Sequence, residues 1–270
     1  MKGRVLIVAG SDSGGGAGIQ ADVKTVTALG GYAMTAITAL TAQNTRGVFG
    51  IHEVPADFVA RQMILVLDDI GADAVKLGML HRAPVIEAVA DVLEARTPGI
   101  PLVLDPVMVA KGGALLLQDE AVAALKRRLL PLATLLTPNL PEAEVLAGHS
   151  IATPDEAARA AVDLSQANGG RAVLLKGGHL PGTRLVDILA EGGAVIATFE
   201  QERIDSGNTH GTGCTLASAI ATGLAQGMAV GTAVARARRY VIEAIRTAPG
   251  FGHGHGPLNH GHTIRPFTED

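Results

Sequence analysis

Tryptophan is missing from this chain of 270 residues, and aromatic side chains make up only 3% of it. So few rings cannot readily form the platforms on which bases of single-stranded nucleic acid stack. Basic character is also lacking. The formal net charge is -4 and no long basic run occurs, so a phosphate backbone finds no electrostatic footprint. Cys214 is the one cysteine, which excludes an intramolecular disulfide and leads us to expect a cytoplasmic protein. No apolar stretch approaches the roughly 18 residues that a membrane span requires. The run Val5 to Ala9 is too short for the core of a signal peptide and meets Asp12 almost at once.

Hydrophobic residues, at 47%, can fill a sizeable core, and 34 glycines cluster where apolar runs end. Short apolar runs alternate with longer segments of helical period, the pattern of βαβ units around a parallel sheet. Strands are expected at Val5 to Ala9, Met34 to Leu40, Ala74 to Leu77, Leu102 to Leu104, Thr134 to Leu136 and Ala172 to Leu175. Val59, Met63, Val66 and Ile70 form one helical stripe, and Val85, Val89, Val92 and Leu93 another. Thr153, Pro154 and Glu156 mark a helix start with a capping box, so a helix is expected from there to about Asn168. Leu185 to Leu189 and Val195 to Phe199 read as a β-hairpin, and two helices follow Thr212. Arg236, Arg238, Arg239 and Arg246 lie off the apolar seam of the second and read as a solvated face. Neither a repeat nor a linker is visible. One domain is expected over residues 1–270, with a mobile Gly/His-rich tail at about 250–270.

The glycines of Gly14-Gly15-Gly16-Ala17-Gly18 lack the spacing of a dinucleotide fingerprint, and no Walker lysine follows any of the glycine turns. Gly211-Thr212-Gly213-Cys214, at the start of an amphipathic helix, offers another device. Unpaired amides at a helix start carry partial positive charge and can wrap an anion, although glycines also serve plain tight connections. Cys214 stands in that first turn, where the helix N-terminus favours a thiolate; a lone cysteine also serves as a small core group. Asp105, directly after an expected strand, sits where open α/β sheets place ligands, and an Asp before Pro106 is equally a turn signal. Asn139 and Glu142 have capping-box spacing and could also offer oxygens to a magnesium–water shell. Lys176 follows a strand end with the same two readings, phosphate contact or solvated terminus. Asp22 gains from the dipole of its helix with or without a ligand. Gln43 lies at the crevice expected past the second strand, and Met79 is either its apolar wall or core.

These segments together resemble the hydroxymethylpyrimidine and phosphomethylpyrimidine kinases of thiamine biosynthesis, within the ribokinase-like superfamily. The resemblance runs through Ala9-Gly10-Ser11-Asp12, Gly14 to Asp22, Ile37 to Thr45, Gly78-Met79-Leu80, Leu104 to Met108, Thr137 to Ala143, Leu175 to His179 and Asn208 to Thr215. It implies a three-layer α-β-α sandwich with a mostly parallel central sheet. It also implies ATP- and Mg2+-dependent phosphorylation of 4-amino-5-hydroxymethyl-2-methylpyrimidine, then of its monophosphate, by a homodimer. By position, Asp22 and Gln43 would hold the aminopyrimidine, with Met79 and Val107 against its ring. Gly211, Thr212 and Gly213 would form the anion hole and Cys214 would stand in the place of the catalytic base. Asn139, Lys176 and Thr209 would contact the nucleotide, and Asp105 and Glu142 would meet magnesium through water. Related vitamin kinases acting on pyridoxal share the cysteine turn and are the nearest alternative; a silent ligand-binding protein on the same fold is another. Arg238 departs from the pattern, standing where lysine is expected.

Overall fold

The computed structural model describes residues 1–108, 119–178, 183–265 and 267. His179, the end of one resembling segment, lies outside them, as do the tail residues 266 and 268–270. Among the described residues nine strands form one sheet in the order β3-β2-β1-β4-β5-β6-β7-β8-β9. They are β1 (Arg4–Asp12), β2 (Tyr32–Asn44), β3 (Gly47–Glu53), β4 (Ala74–Leu77), β5 (Leu102–Leu104), β6 (Leu135–Leu136), β7 (Ala172–Leu175), β8 (Arg184–Glu191) and β9 (Ala194–Glu202). From β2 through β7 all neighbours are parallel, while β3, β8 and β9 join antiparallel at the edges. Three expected strands, β4, β5 and β7, have the bounds read from sequence. β3 is unforeseen, because its residues are mostly exposed and show no apolar face; backbone pairing with β2 holds it.

The helices are α1 (Gly18–Ala28), α2 (Ala56–Asp69), α3 (Ala83–Arg96), α4 (Asp119–Ala124), α5 (Leu140–Ala147), α6 (Pro154–Ala167), α7 (Thr212–Ala225) and α8 (Val230–Arg246). Alternation along β1 shows how they divide. Leu6 and Val8 join the core under α2, α3, α5 and α6, whereas Val5, Ile7 and Ala9 join the core under α1, α7 and α8. Strict period-2 alternation in strands buried on both faces sends successive side chains to opposite layers. The result is the expected three-layer sandwich. Thr153 and Glu156 form the expected reciprocal cap on α6.

Two expectations fail. Arg238 is buried rather than solvated: its Nε donates to Asp187 Oδ2 at 2.8 Å, and its guanidinium lies over the ring of Phe199. Its position on α8 faces the polar end of β8, so the helical stripe alone misplaced it. The described part of the tail is likewise tied down at several points rather than loose. His255 donates its amide to the Thr45 carbonyl at 2.8 Å, and His260 is buried against Thr215.

Candidate active site

Strands β1 and β4 are neighbours, and the chain leaves β1 toward β2 on one side but leaves β4 toward β5 on the other. In open α/β sheets ligands settle outside the carboxyl ends of the strands at such a switch point. The residues singled out from sequence stand along that edge. Gln43 is the last residue but one of β2, Met79 follows β4, Asp105 follows β5, Asn139 follows β6 and Lys176 follows β7.

Lys176 Nζ lies 3.0 Å from Asp105 Oδ1, and both are largely buried. A side chain at Gly213 would begin 3.3 Å from that Nζ and 3.7 Å from Asp105 Oδ2. The first turn of α7 therefore faces a buried lysine–carboxylate pair. Burial works to lower the Lys176 ammonium, but Asp105 and Glu142 outweigh it and hold the lysine above its ordinary value. Glu142 and Asn139 cap α5 reciprocally, with bonds of 2.8 and 2.9 Å. Burial, opposed by Lys176 and reinforced by Asp105, pushes the Glu142 carboxyl up to about 7.

Gly211 caps α7 with φ 83°. Its missing side chain is needed twice: that angle is left-handed, and a Cβ would overlap the carbonyl oxygen of Gly16. Thr212 turns its hydroxyl back to the Thr209 carbonyl at 2.7 Å, which closes the turn. The amides that follow have no intrahelical acceptor, as at any helix start. Cys214 keeps part of its surface accessible. Its thiol is not activated as the helix-start argument suggested. Burial pushes it up to about 12, which Lys76 and the Gly18 amide oppose, while Asp22 and Asp105 add to the rise.

Asp22 lies beneath this turn, fully buried. One oxygen accepts from Lys76 Nζ at 2.8 Å and the other from Ser218 Oγ at 2.7 Å. Burial alone would lower Lys76; Asp22, then Cys214 and Asp105, hold it protonated above its ordinary value. Lys76 was missed in the sequence. Its signal is a lysine inside the apolar run Ala74-Val75-Lys76-Leu77, a position that a strand with four buried residues must turn inward.

Met79 and Val107 meet in a small apolar cluster with Ala39 and Ile51, apart from the two main cores. Gly10 makes room for the Met79 methyl group. Asp12 and His210 were also missed as individual contributors. The Asp12 carboxylate is wrapped by the amides of Gly14, Gly16 and Ala17 at 2.8, 3.1 and 2.8 Å and lies 2.8 Å from His210 Nε2. The first glycine loop thus encloses an anion of its own chain. Burial acts to raise Asp12, but His210 and the amides outweigh it and hold the carboxyl below its ordinary value.

The family profile described as phosphomethylpyrimidine kinase matches residues 12–259. The chain belongs to the phosphomethylpyrimidine kinase family. It is 58% identical over 259 residues to the thiamine biosynthesis bifunctional protein ThiED of Geobacter sulfurreducens, covering 96% of this chain but 52% of that one. The chain thus spans about half the length of that bifunctional relative. To the hydroxymethylpyrimidine/phosphomethylpyrimidine kinase of Bacillus subtilis it is 44% identical, over 95% of this chain and 94% of the other. A solved ADP complex of Bacillus subtilis pyridoxal kinase matches with a TM-score of 0.87 and 34% identity, over 97% and 98% of the two chains. The ribokinase-like fold and membership of a phosphotransferase family follow.

Proposed function

We propose that this chain transfers the γ-phosphoryl group of ATP to the hydroxymethyl oxygen of 4-amino-5-hydroxymethyl-2-methylpyrimidine and then phosphorylates the monophosphate to the diphosphate. The observation that carries this is the buried Lys176–Asp105 pair lying against Gly213, one residue from Cys214, at the carboxyl ends of the parallel strands. Phosphoryl transfer requires little covalent chemistry from a protein, so positioning and charge neutralisation supply most of the rate. Lys176, Asn139 and Thr209 are assigned to the nucleotide. The turn Gly211-Thr212-Gly213 receives the transferring group on its amides. Gln43 faces the aminopyrimidine, with Met79 and Val107 against the ring; Asp22, fully buried with both oxygens taken by Lys76 and Ser218, supports the site from below rather than by contact with the substrate.

Asp105 and Glu142 suit a magnesium ion reached through water: both are carboxylates beside a phosphate-site lysine, and this ion keeps several waters and few protein ligands. When bound, it would neutralise phosphate charge. Cys214 takes the proton of the attacking hydroxyl. Because its thiol is pushed up to about 12, the base contributes less than the amides at neutral pH. We further assign the protein to the cytoplasm as a homodimer; no helix among the described residues is long and apolar enough to cross a membrane.

A coupled assay that counts ADP per pyrimidine tests the reaction; two per substrate is expected, and none overturns it. Parallel kcat/KM values on pyridoxal should be lower than on the pyrimidine; higher ones would favour the reading suggested by the pyridoxal kinase likeness. Cys214→Ala should lower kcat at pH 7 by about 10-fold or less, below the roughly 10² to 10⁴ of a fully ionised general base because the thiol is mostly protonated there, with ATP affinity nearly unchanged. The wild-type rate should also climb between pH 7 and 9, as the thiolate fraction grows tenfold per unit below its pKa, while Cys214→Ala stays flat. Equal slopes in the two proteins would remove the base assignment.

A further inference from the structure

Two neighbours of Gln43 decide how its terminal amide is turned. His210 Nε2 stands 2.8 Å from Asp12 Oδ2, an oxygen that also accepts the amides of Gly16 and Ala17. A carboxylate held this way is ionised and only accepts, so Nε2 of His210 carries a hydrogen in either charge state of the ring. That same Nε2 lies 3.1 Å from the Gln43 amide. On its other side the amide lies 3.2 Å from Thr41 Oγ1. Thr41 has one hydroxyl hydrogen, and the Ser11 carbonyl takes it at 2.9 Å. The one Nε2 hydrogen is shared between Asp12 Oδ2 at 2.8 Å and the Gln43 amide at 3.1 Å, so His210 offers Gln43 the weaker branch of a three-centre donor, and Thr41 offers a lone pair.

Drawn with Nε2 toward His210, the Gln43 amide sets N–H against N–H on one side and oxygen against an oxygen lone pair on the other. Turned over, both contacts become hydrogen bonds; amide oxygen and nitrogen are told apart by such networks. The chain then runs from Asp12 through His210, Gln43 and Thr41 to Ser11 without a conflict.

We propose that His210 is a positioning residue that, with Thr41, locks the Gln43 amide so that one remaining lone pair and one remaining N–H face the substrate in a fixed order. The proposal rests on the kinase reading above and deepens it. A 4-aminopyrimidine presents a ring nitrogen acceptor beside an amino donor and matches a locked amide. Its 4-oxo counterpart carries the same two functions in reverse order, donor in the ring and acceptor outside it. A free amide would flip and accept both; a locked one rejects the second. His210 also joins this lock to the phosphoryl side, since it directly precedes Gly211 and its amide donates to the Gly256 carbonyl at 3.1 Å.

The test measures kcat/KM for 4-amino-5-hydroxymethyl-2-methylpyrimidine and for its 4-oxo counterpart in wild type, His210→Leu, His210→Gln and Thr41→Val. His210→Leu should reduce the amino-over-oxo preference by about 10- to 100-fold, the usual worth of a bidentate pair. Thr41→Val, a mild change on β2, should reduce it in the same direction by a smaller factor. His210→Gln, whose amide can donate to both Asp12 and Gln43, should keep it. A residue that merely supports the fold lowers both substrates alike; an unchanged preference in His210→Leu and Thr41→Val overturns the proposal, however far activity falls. Should His210→Leu fail to fold, Thr41→Val decides alone. A second readout needs no substrate: the Gln43 side-chain NH2 should exchange slowly by NMR in the wild type and faster in Thr41→Val and His210→Leu. Equal exchange in all three sinks the lock, whereas slow exchange in a wild type inactive on both pyrimidines would overturn the kinase reading and leave the lock standing.

Discussion

Lys76 occupies the middle of β4, where both faces of the sheet are covered, and its side chain is wholly buried. A lysine tolerates that setting only when paired, and Asp22 on α1 supplies the pair at 2.8 Å. Ser218, one turn beyond Cys214 on α7, takes the other carboxylate oxygen. Three elements thus meet at one carboxylate beneath the phosphoryl turn. Lys76→Met should cost about 3 to 5 kcal/mol in urea denaturation, because it strands a buried carboxylate. Adding Asp22→Asn should restore most of this loss, since the amide keeps the Ser218 contact and carries no charge. Additive losses in the double variant would mean that the pairing is not what stabilises the site.

At the scale of the element, α7 begins on a residue that admits no side chain. Gly211→Ala combines a left-handed backbone angle with an overlap against the Gly16 carbonyl, so the turn must move. We expect stability to fall by about 1 to 3 kcal/mol and kcat by about 10²-fold or more, the scale of losing one oriented amide. Gly227→Ala is the control. Its φ is 86° and nothing lies within 4 Å of the added methyl group, so it should show the strain alone, in thermal melts, with turnover retained. If both variants lose activity equally, the placement of the turn is not decisive.

Across the whole molecule, the C-terminal segment ties the two sides of the site together. Gly256 receives the His210 amide, His255 bonds to the Thr45 carbonyl, and Tyr240 donates its hydroxyl to the His260 carbonyl at 2.6 Å. His260 Nε2 lies 3.0 Å from Thr215 Oγ1, directly behind the phosphoryl turn. Burial first, then Lys24 and His262, pushes the His260 imidazole down to about 4 from its ordinary 6.5. A group whose folded value is depressed is bound by fewer protons when folded, so its contribution is complete above pH 6.5 and fades as pH falls toward 4. The loss over that window is about 3 kcal/mol at 1.36 kcal/mol per unit. Denaturation midpoints measured from pH 7.5 to 4 should therefore fall less steeply in His260→Gln than in the wild type. Parallel curves would show that His260 does not govern the acid response.

Much of this was legible along the chain. The alternation of short apolar runs with helical stripes determined the βαβ plan, because strand and helix periods are local properties. The capping spacings at Asn139 and Thr153 located two helix starts for the same reason, and the ordered motifs from Ala9 to Thr215 pointed to the kinase family. The tertiary structure alone decided what each polar group meets. Asp22 became the partner of a buried lysine 54 residues away, the first glycine loop closed on Asp12, and Cys214 lost the activation its helix position promised. Burial and long-range partners set those outcomes, and neither is a property of spacing. The turn Gly211 to Cys214 shows both parts: its glycines are readable as a helix start, but its direction toward Lys176 and Asp105 depends on strands β5 and β7 being brought beside it.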